Sequence, residues 1–488
     1  MNDSASTIQA ALGKRKGWLP ATLHPAQLLV ASFAAVIAIG TVLLSLNAAV
    51  QSGPPLQFVD AFFTATSATC VTGLVVVDTG TRFSLFGQLV ILCCIQIGGL
   101  GLMTFATVLL VATGRRLAIA DRIVIQESFH HSPTGELGVL IRYIVLGTLL
   151  TEAIGAVLLT IYWWSNGTHA NLAAAAYAGA FHAISAFCNA GFSLYPDNLI
   201  SFQGDAVVLS ILSALIIAGG LGFLVGLDVK EYLQQRLFSS WWPARVRKRV
   251  QAIRPRPRLS LHSKLVLTTT GALLLIGTIS YYGLERTGAL RDMSTAEALM
   301  NAWFCSVTAR TAGFNAVDYA RLGGPALLCT MVLMFIGASP GSAGGGVKTS
   351  TFGVLLIYAA YRWRGHNSPH AFRRSIPQET LDRANTVVVI AVGFVVLAGS
   401  FLIATEARST NPAESQAKFL PVLFETFSAF GTAGLSMGIT AGLSTAGKIV
   451  VALVMLVGRV GPITAALALA NRKKHARVTY AEDNVMVG

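Results

Sequence analysis

Eight long apolar runs restrict the fold of this chain more than any other feature of its sequence. They lie near residues 26–49, 85–113, 138–164, 206–228, 264–283, 322–361, 385–405 and 446–470. Each run reaches the roughly 20 residues that a helix needs to cross a bilayer. Charged residues make up only 12% of the 488 residues, against about 25% in a typical soluble domain. We therefore predict an all-α integral membrane protein with eight spans.

The net charge of +14 is concentrated in particular segments. Most Lys and Arg residues lie before the first run and after the second, fourth, sixth and eighth runs, whereas the intervening loops are slightly acidic. This alternation is the positive-inside signature of membrane proteins, and it argues against nucleic acid as a partner. We predict that the N-terminal segment 1–25 and the C-terminal segment 471–488 are both cytoplasmic.

Between the two runs of each pair lies a shorter stretch of small residues that ends at a glycine. These stretches cover residues 57–77, 172–193, 294–314 and 416–438, and their glycines are Gly73, Gly191, Gly313 and Gly434. The glycines recur about every 120 residues, as in an internal repeat. Because the stretches are too interrupted to span, we predict that they re-enter the membrane from outside, where they must line protein or a water-filled cavity.

The predicted unit is a span, a re-entrant half-helix with a glycine turn, and a second span. Four parallel copies cover residues 26–113, 114–228, 229–361 and 362–470, the third copy beginning with a basic cytoplasmic loop. The carbonyl end of a half-helix carries partial negative charge, and a ring of carbonyls can replace the hydration shell of a cation. Four such turns predict a pseudo-fourfold central pore for cations.

The sixth run has a glycine-rich interruption around Pro340, which disfavours a continuous helix. We predict two half-helices joined by a loop at membrane depth, with a packing kink as the alternative. The following letters resemble a phosphate-binding loop, but Val347 separates Gly346 from Lys348 and no strand precedes them. We therefore expect no nucleotide on this chain.

Charged residues at membrane depth are costly and by default functional. Arg459 lies within the last run and Lys348 flanks the glycine-rich interruption. The alternative for Arg459 is a structural role in which its side chain links neighbouring helices. We expect Glu152, in the third run, to pair with an arginine near the cytoplasmic side.

With its four glycine turns, the GGLG elements at 98–101 and 219–222, the SPGSAGGGVKTS segment and a GRVGP segment, the chain resembles the Trk/Ktr/HKT superfamily of K⁺ transporters. The resemblance covers about residues 25–470. Since one span precedes the first glycine turn, the chain is most similar to the KtrB-type membrane subunit. The resemblance implies K⁺ uptake across a bacterial inner membrane, without enzymatic activity.

The resemblance also implies which residues form a carbonyl filter and a gate. The filter residues would be Val71, Thr72, Gly73, Asn189, Ala190, Gly191, Thr311, Ala312, Gly313, Thr432, Ala433 and Gly434. The gate would be an obstructing loop below the filter with Gly337, Gly341, Gly344, Gly345, Gly346, Lys348 and Arg459. We expect Arg310 to turn away from the ion path into an acidic or carbonyl cage, a pore-lining arginine being the alternative.

The resemblance further implies a homodimer on a ring of cytosolic, nucleotide-binding regulatory subunits of the KtrA or TrkA type. Membrane lipid is a second ligand that explains the basic segments. K⁺ is the expected transported ion, and Na⁺ is a second candidate. Two alternatives remain: an alternating-access symporter coupled to Na⁺ or H⁺, and a membrane scaffold that transports nothing.

Overall fold

The computed structural model describes residues 25–51, 53–101, 137–241, 259–366, 368–406, 412–462 and 464. The predicted cytoplasmic N-terminal segment before residue 25 and the C-terminal segment 471–488 lie outside the described residues. The chain is helical, as predicted, apart from one small antiparallel hairpin in the region that the structure describes. Its strands are β1 (His370–Ala371) and β2 (Arg374–Ser375).

In chain order, the helices of twelve residues or more in the described part of the chain are α1 (Pro25–Leu44), α2 (Phe58–Thr69), α3 (Leu85–Gly99), α4 (Leu137–Ser165), α5 (Leu172–Phe187), α6 (Ala206–Gly220), α7 (Phe223–Trp241), α8 (Leu261–Glu285), α9 (Thr295–Thr308), α10 (Gly324–Phe335), α11 (Thr349–Trp363), α12 (Gln378–Glu406), α13 (Pro412–Gly431) and α14 (Thr445–Val460). Short helical turns at Thr79–Arg82, Ile200–Phe202, Tyr319–Arg321 and Thr440–Gly442 precede α3, α6, α10 and α14.

These helices follow one order four times. A first helix (α1, α4, α8 or α12) leads to a turn helix (α2, α5, α9 or α13), then to a glycine turn, and then to a second helix (α3, α6, α10 or α14). We number the repeats and their turns one to four. The predicted half-helices before the glycines are thus present as the four turn helices.

In each repeat, hydrogen bonds join the end of the first helix, or the residues just after it, to the start of the second helix. The bonded pairs are the Ser84 hydroxyl with the Ala48 carbonyl, the Tyr162 hydroxyl with the Asp205 carboxylate, the Gly323 N–H with the Glu285 carboxylate, and the Ser444 N–H with the Glu406 carboxylate. Three of these second helices also begin with a side-chain cap, which satisfies main-chain N–H groups of the first turn. The two helices that flank each turn helix are therefore held together where the turn helix segment leaves and returns.

The second helices are short, and two of the predicted runs, 85–113 and 446–470, continue into residues outside the described ranges. The second helices contain 12 to 16 residues, so their length is about 18–24 Å against a hydrocarbon core of about 30 Å. Among the described residues, three helices are long and apolar enough to cross a bilayer, at Arg142–Ser165, Leu261–Glu285 and Gln378–Glu406. The bent pair of α6 and α7 makes a fourth if it is counted as one span.

The run over 206–228, predicted as a span, is not one straight helix. Helix α6 ends at Gly220, and α7 begins at Phe223 after a bend of 101°. Gly222 has a φ of +87°, a conformation that glycine adopts readily and other residues rarely. A Cβ built on Gly219 would lie 1.8 Å from the Phe187 carbonyl oxygen, so the end of α6 packs directly on the end of turn helix α5.

Each second helix packs against the turn helix of the next repeat, and the last one packs against the first. The pairs are α3 with α5, α6 with α9, α10 with α13, and α14 with α2. The last pair includes an ion pair in which Lys448 Nζ lies 2.7 Å from Asp60 Oδ1. Because repeat four contacts repeat one, the four repeats form a closed circle.

Replacing Lys448 by alanine is expected to loosen this closure. The Asp60 side chain is only 17% exposed, so loss of its partner should cost about 2 kcal/mol, between the values for exposed and buried pairs. Thermal unfolding of the detergent-solubilised protein measures the effect. The control is Glu379→Ala, which removes the exposed pair with Arg383 and should cost at most about 0.5 kcal/mol. Equal effects of the two substitutions would contradict the closure.

Candidate functional site

The four glycine turns share a backbone conformation that side chains disfavour. The first residue of each predicted filter triplet has a positive φ: Val71 (57°), Asn189 (58°), Thr311 (75°) and Thr432 (49°). The glycine two positions later also has a positive φ, at 94°, 69°, 80° and 79° in turns one to four. Positive φ is a genuine outlier for a β-branched residue, and three of these four first residues are β-branched. Strain repeated at one position is typical of a functional constraint.

Hydrogen bonds from each turn back to its own turn helix hold this conformation. The middle residue of turns one, two and four donates its N–H to the carbonyl of a serine, at Ser67 (2.8 Å), Ser185 (2.7 Å) and Ser428 (2.8 Å). In turn three, the Ala312 N–H donates to the Thr308 carbonyl at 3.0 Å. The middle residues of the four turns are not among the described residues with positive φ, so their φ is negative. The sign of φ therefore alternates along each turn.

The four turns meet one another in a ring. A Cβ built on the filter glycine would lie within 2.8 Å of the carbonyl oxygen that precedes the glycine of the next turn. The pairs are Gly73 with Ala190 (2.4 Å), Gly191 with Ala312 (2.7 Å), Gly313 with Ala433 (2.8 Å) and Gly434 with Thr72 (2.1 Å). Real Cβ atoms essentially never approach so closely. Only glycine therefore fits at these positions without a shift of the backbone.

The sixth apolar run breaks where the sequence predicts. Helix α10 ends at Phe335 and α11 begins at Thr349. The intervening residues 336–348, here called the glycine loop, fold back on themselves through a bridge between Ile336 and Val347. The loop lies against turns three and four: the Gly345 N–H donates to the Thr432 hydroxyl at 3.0 Å, and a Cβ on Gly344 would lie 2.1 Å from the Thr311 hydroxyl oxygen.

Carbonyls at the ends of the second helices hold the glycine loop. Helix ends leave carbonyls without intrahelical partners, and in an apolar environment these must be satisfied. The Ser339 and Ala343 N–H groups donate to the Gly220 and Gly219 carbonyls of α6, at 3.1 and 3.3 Å. The Gly346 N–H donates to the Gly458 carbonyl of α14 at 3.2 Å. On its other side, the Gly341 carbonyl accepts from the Phe223 N–H of α7 at 3.0 Å.

The two predicted gate cations also bond to carbonyls. Arg459 donates through one nitrogen to the Ala343 carbonyl of the glycine loop and through another to the Gly98 carbonyl of α3. Lys348 donates to the Gly344 carbonyl at 2.6 Å. Six of the seven predicted gate residues thus lie in the glycine loop, and the seventh, Arg459, is bonded to it and links it to α3 of repeat one.

Arg310 contacts a carbonyl, one of the two partners expected for it. Its guanidinium donates to the Gly337 carbonyl at 3.4 Å, and its Nε has no partner among the described residues.

The prediction that Glu152 pairs with an arginine is wrong for the described residues. The Glu152 carboxylate accepts from the Gln96 amide at 3.1 and 3.2 Å and from the Cys188 thiol at 3.6 Å. Glu152 lies in the middle of α4, so it supports turn two instead of an arginine near the membrane surface.

Two buried titratable residues near the turns were missed by the sequence reasoning. His182 and Glu425 each lie nine positions before a filter glycine and are fully buried. His182 Nε2 lies 3.0 Å from the Ser193 hydroxyl, and the Thr440 hydroxyl donates to Glu425. Each side chain thus ties a turn helix to the segment after its turn. Aligning the four repeats at their glycines provides the signal that could have found them.

Comparison with known proteins places this geometry in a family. The family model described as TrkH, cation transport protein, matches residues 4–477. The Ktr system potassium uptake protein B of Bacillus subtilis is 40% identical over 472 residues, which cover 95% of this chain and 97% of that protein. The potassium/sodium uptake protein NtpJ of Enterococcus hirae is 37% identical, over 96% of this chain and 98% of its own length.

A solved structure shares the fold. The crystal structure of the potassium transporter TrkH from Vibrio parahaemolyticus superposes with a TM-score of 0.68 at 16% sequence identity, covering 96% of this chain and 89% of that one. The family model spans nearly the whole chain, and the relatives match over nearly their full lengths. This chain is therefore a multi-pass membrane protein that belongs to the TrkH family of cation transport proteins.

Proposed function

We propose that this chain is the pore-forming membrane subunit of a K⁺ uptake system, and that K⁺ passes through the ring of four glycine turns. The observation that carries the proposal is the contact of each filter glycine with a carbonyl of the next turn, from Gly73 around to Gly434. The name of the Bacillus subtilis relative, a potassium uptake protein, supports K⁺ as the ion.

In this proposal the twelve residues of the four triplets form the selectivity filter. Their alternating φ signs favour carbonyls that face a common axis, where they replace the hydration shell of K⁺. The carbonyl ends of the four turn helices add partial negative charge beside that axis. The side chains of the triplets differ between repeats, which is compatible with coordination by main-chain oxygens alone.

The glycine loop, with Lys348 and Arg459, is the proposed gate. It lies against turns three and four on the side of the second-helix ends, so it obstructs a path along the axis of the ring. Two positive charges beside that path add an electrostatic barrier to a cation. Small residues allow the loop to move with little steric cost.

A central ring supports a pore over the alternating-access symporter. All four repeats contribute to the ring, whereas rocking transporters bind their substrate between two halves that move against each other. Na⁺ is a second candidate ion because the Enterococcus hirae relative is named a potassium/sodium uptake protein.

We further propose a bacterial inner-membrane location with both termini in the cytoplasm, and a homodimer that docks on a cytosolic ring of nucleotide-binding regulatory subunits. The name "Ktr system" of the Bacillus subtilis relative supports a second component. Nucleotide would then act on the regulatory partner, and anionic lipid would contact the basic segments.

Growth of a K⁺-uptake-deficient bacterial host at limiting K⁺ tests the proposed function. Expression of this chain, together with a candidate regulatory subunit, should restore growth. The purified protein in liposomes should carry K⁺ into the vesicles. A chain that reaches the membrane but supports neither growth nor flux would overturn the proposal.

Replacing a filter glycine by serine should reduce selectivity for K⁺. In Gly434→Ser the added Cβ meets the Thr72 carbonyl oxygen, and the backbone shift should lower K⁺/Na⁺ discrimination roughly tenfold, for a strain of about 1.4 kcal/mol. Bi-ionic flux in liposomes measures the ratio. The control is Gly147→Ser in α4, where a Cβ meets no atom within 4 Å. Unchanged discrimination in the serine variants of all four filter glycines would contradict the assignment.

Removing the arginine of the gate should raise flux. Arg459→Ala deletes the bonds that hold the glycine loop to α3, so we expect faster K⁺ flux with no gain in selectivity, and the same result for deletion of several loop glycines. The exposed Arg383 provides a control, and Arg383→Ala should leave flux unchanged. Loss of all flux at normal expression would mean that the loop is structural.

The regulatory partner should be retained during purification. We expect the detergent-extracted chain to run as a dimer and to co-purify with its cytosolic subunit, with flux that responds to ATP and ADP only when the subunit is present. A monomer that retains no such subunit, and whose flux ignores both nucleotides, would contradict this part of the proposal.

A further inference from the structure

One side chain outside the filter contacts a main-chain oxygen of the filter itself. The Asn198 amide nitrogen Nδ2 lies 3.2 Å from the Gly191 carbonyl oxygen. Among the described residues, the carbonyls of the other three filter glycines accept no such bond. Turn two is therefore distinguished from the other turns at its glycine carbonyl.

Two further hydrogen bonds hold Asn198 in place, one to its side-chain oxygen and one to its main-chain carbonyl. Its Oδ1 accepts from the Asn315 N–H at 3.2 Å, and its own carbonyl accepts from the Ser193 hydroxyl at 3.1 Å. The Oδ1 contact with an N–H donor fixes which end of the amide faces the Gly191 carbonyl. Its φ of +60° is a conformation that asparagine tolerates better than most residues.

These contacts also join two repeats. Asn315 follows turn three, and the Leu199 N–H donates to the Asn315 carbonyl at 3.0 Å. Asn198 thus bonds at once to the filter carbonyl of turn two and to the segment after turn three. The Asn198 amide is therefore one of the contacts through which a movement of turn three can reach the Gly191 carbonyl.

We propose that Asn198 is a positioning residue that sets the ion selectivity of the filter by fixing the Gly191 carbonyl. A carbonyl oxygen has two lone pairs, and the amide occupies one of them and fixes the direction of the other. The ligand that turn two offers at this level is therefore weaker and more rigid than those of turns one, three and four. This proposal rests on the proposed function as a K⁺ pore.

Two substitutions distinguish this role from a purely structural one, in which Asn198 only stabilises the fold. Asn198→Asp keeps an oxygen for the Asn315 N–H but cannot donate to the Gly191 carbonyl. Asn198→Gly tolerates the backbone conformation and removes both side-chain bonds. The control is Ser201→Ala, which removes the hydrogen bond of an exposed hydroxyl to the Asp197 carboxylate, next to Asn198 in the chain, and leaves the Asn198 amide in place.

The readouts are K⁺/Na⁺ and K⁺/Rb⁺ discrimination in liposomes and the thermal unfolding midpoint in detergent. Loss of the hydrogen bond to the Gly191 carbonyl should change discrimination roughly 3- to 10-fold in both Asn198 variants, with less than about a twofold change in Ser201→Ala. Wild-type discrimination in Asn198→Asp, or a lower unfolding midpoint without altered discrimination, would overturn the proposal. Absence of K⁺ flux in the wild-type protein would instead show that the proposed function itself has failed and this inference with it.

Discussion

The crowding of main-chain carbonyls around the four turn glycines, Gly73, Gly191, Gly313 and Gly434, is the constraint on which the rest of the structure depends. Each glycine lies where a Cβ would collide with an oxygen of the neighbouring turn. The residue two positions earlier takes up a left-handed conformation although it is valine, asparagine or threonine. Such strain persists only where the surroundings over-determine the backbone. Here the turn helices, the serine and threonine carbonyls near their ends, and the circle of helix contacts supply that support.

The same constraint explains why the second helices stop early. Each must approach the carbonyl end of a turn helix, and glycines such as Gly98 and Gly219 permit a contact that a side chain would block. Ending a helix at this depth exposes carbonyls that water cannot reach. The glycine loop and Arg459 satisfy several of them. The proposed gate is thus also part of the structure that completes these helix ends.

The glycine spacing and the interruption of the sixth run were enough to predict the turn helices, the position of the turns and the loop between α10 and α11. Other features depend on partners far apart in the chain, where a single sequence carries no pairing signal. Lys448 and Asp60 are 388 positions apart, and the Glu152 contacts come from two different repeats. The bend at Gly222 was missed because its flanks are uniformly apolar, so hydropathy alone predicts a continuous span.

The central claim is that a monovalent cation is coordinated by the ring of turns. Anomalous X-ray scattering from crystals of the protein soaked in Tl⁺, a heavy K⁺ substitute, tests it most directly. We predict anomalous density on the axis encircled by Gly73, Gly191, Gly313 and Gly434, and its loss when crystals of the Gly434→Ser variant are soaked in the same way. Density that lies only between α-helices away from this axis, or none in the ring at saturating Tl⁺, would contradict the account.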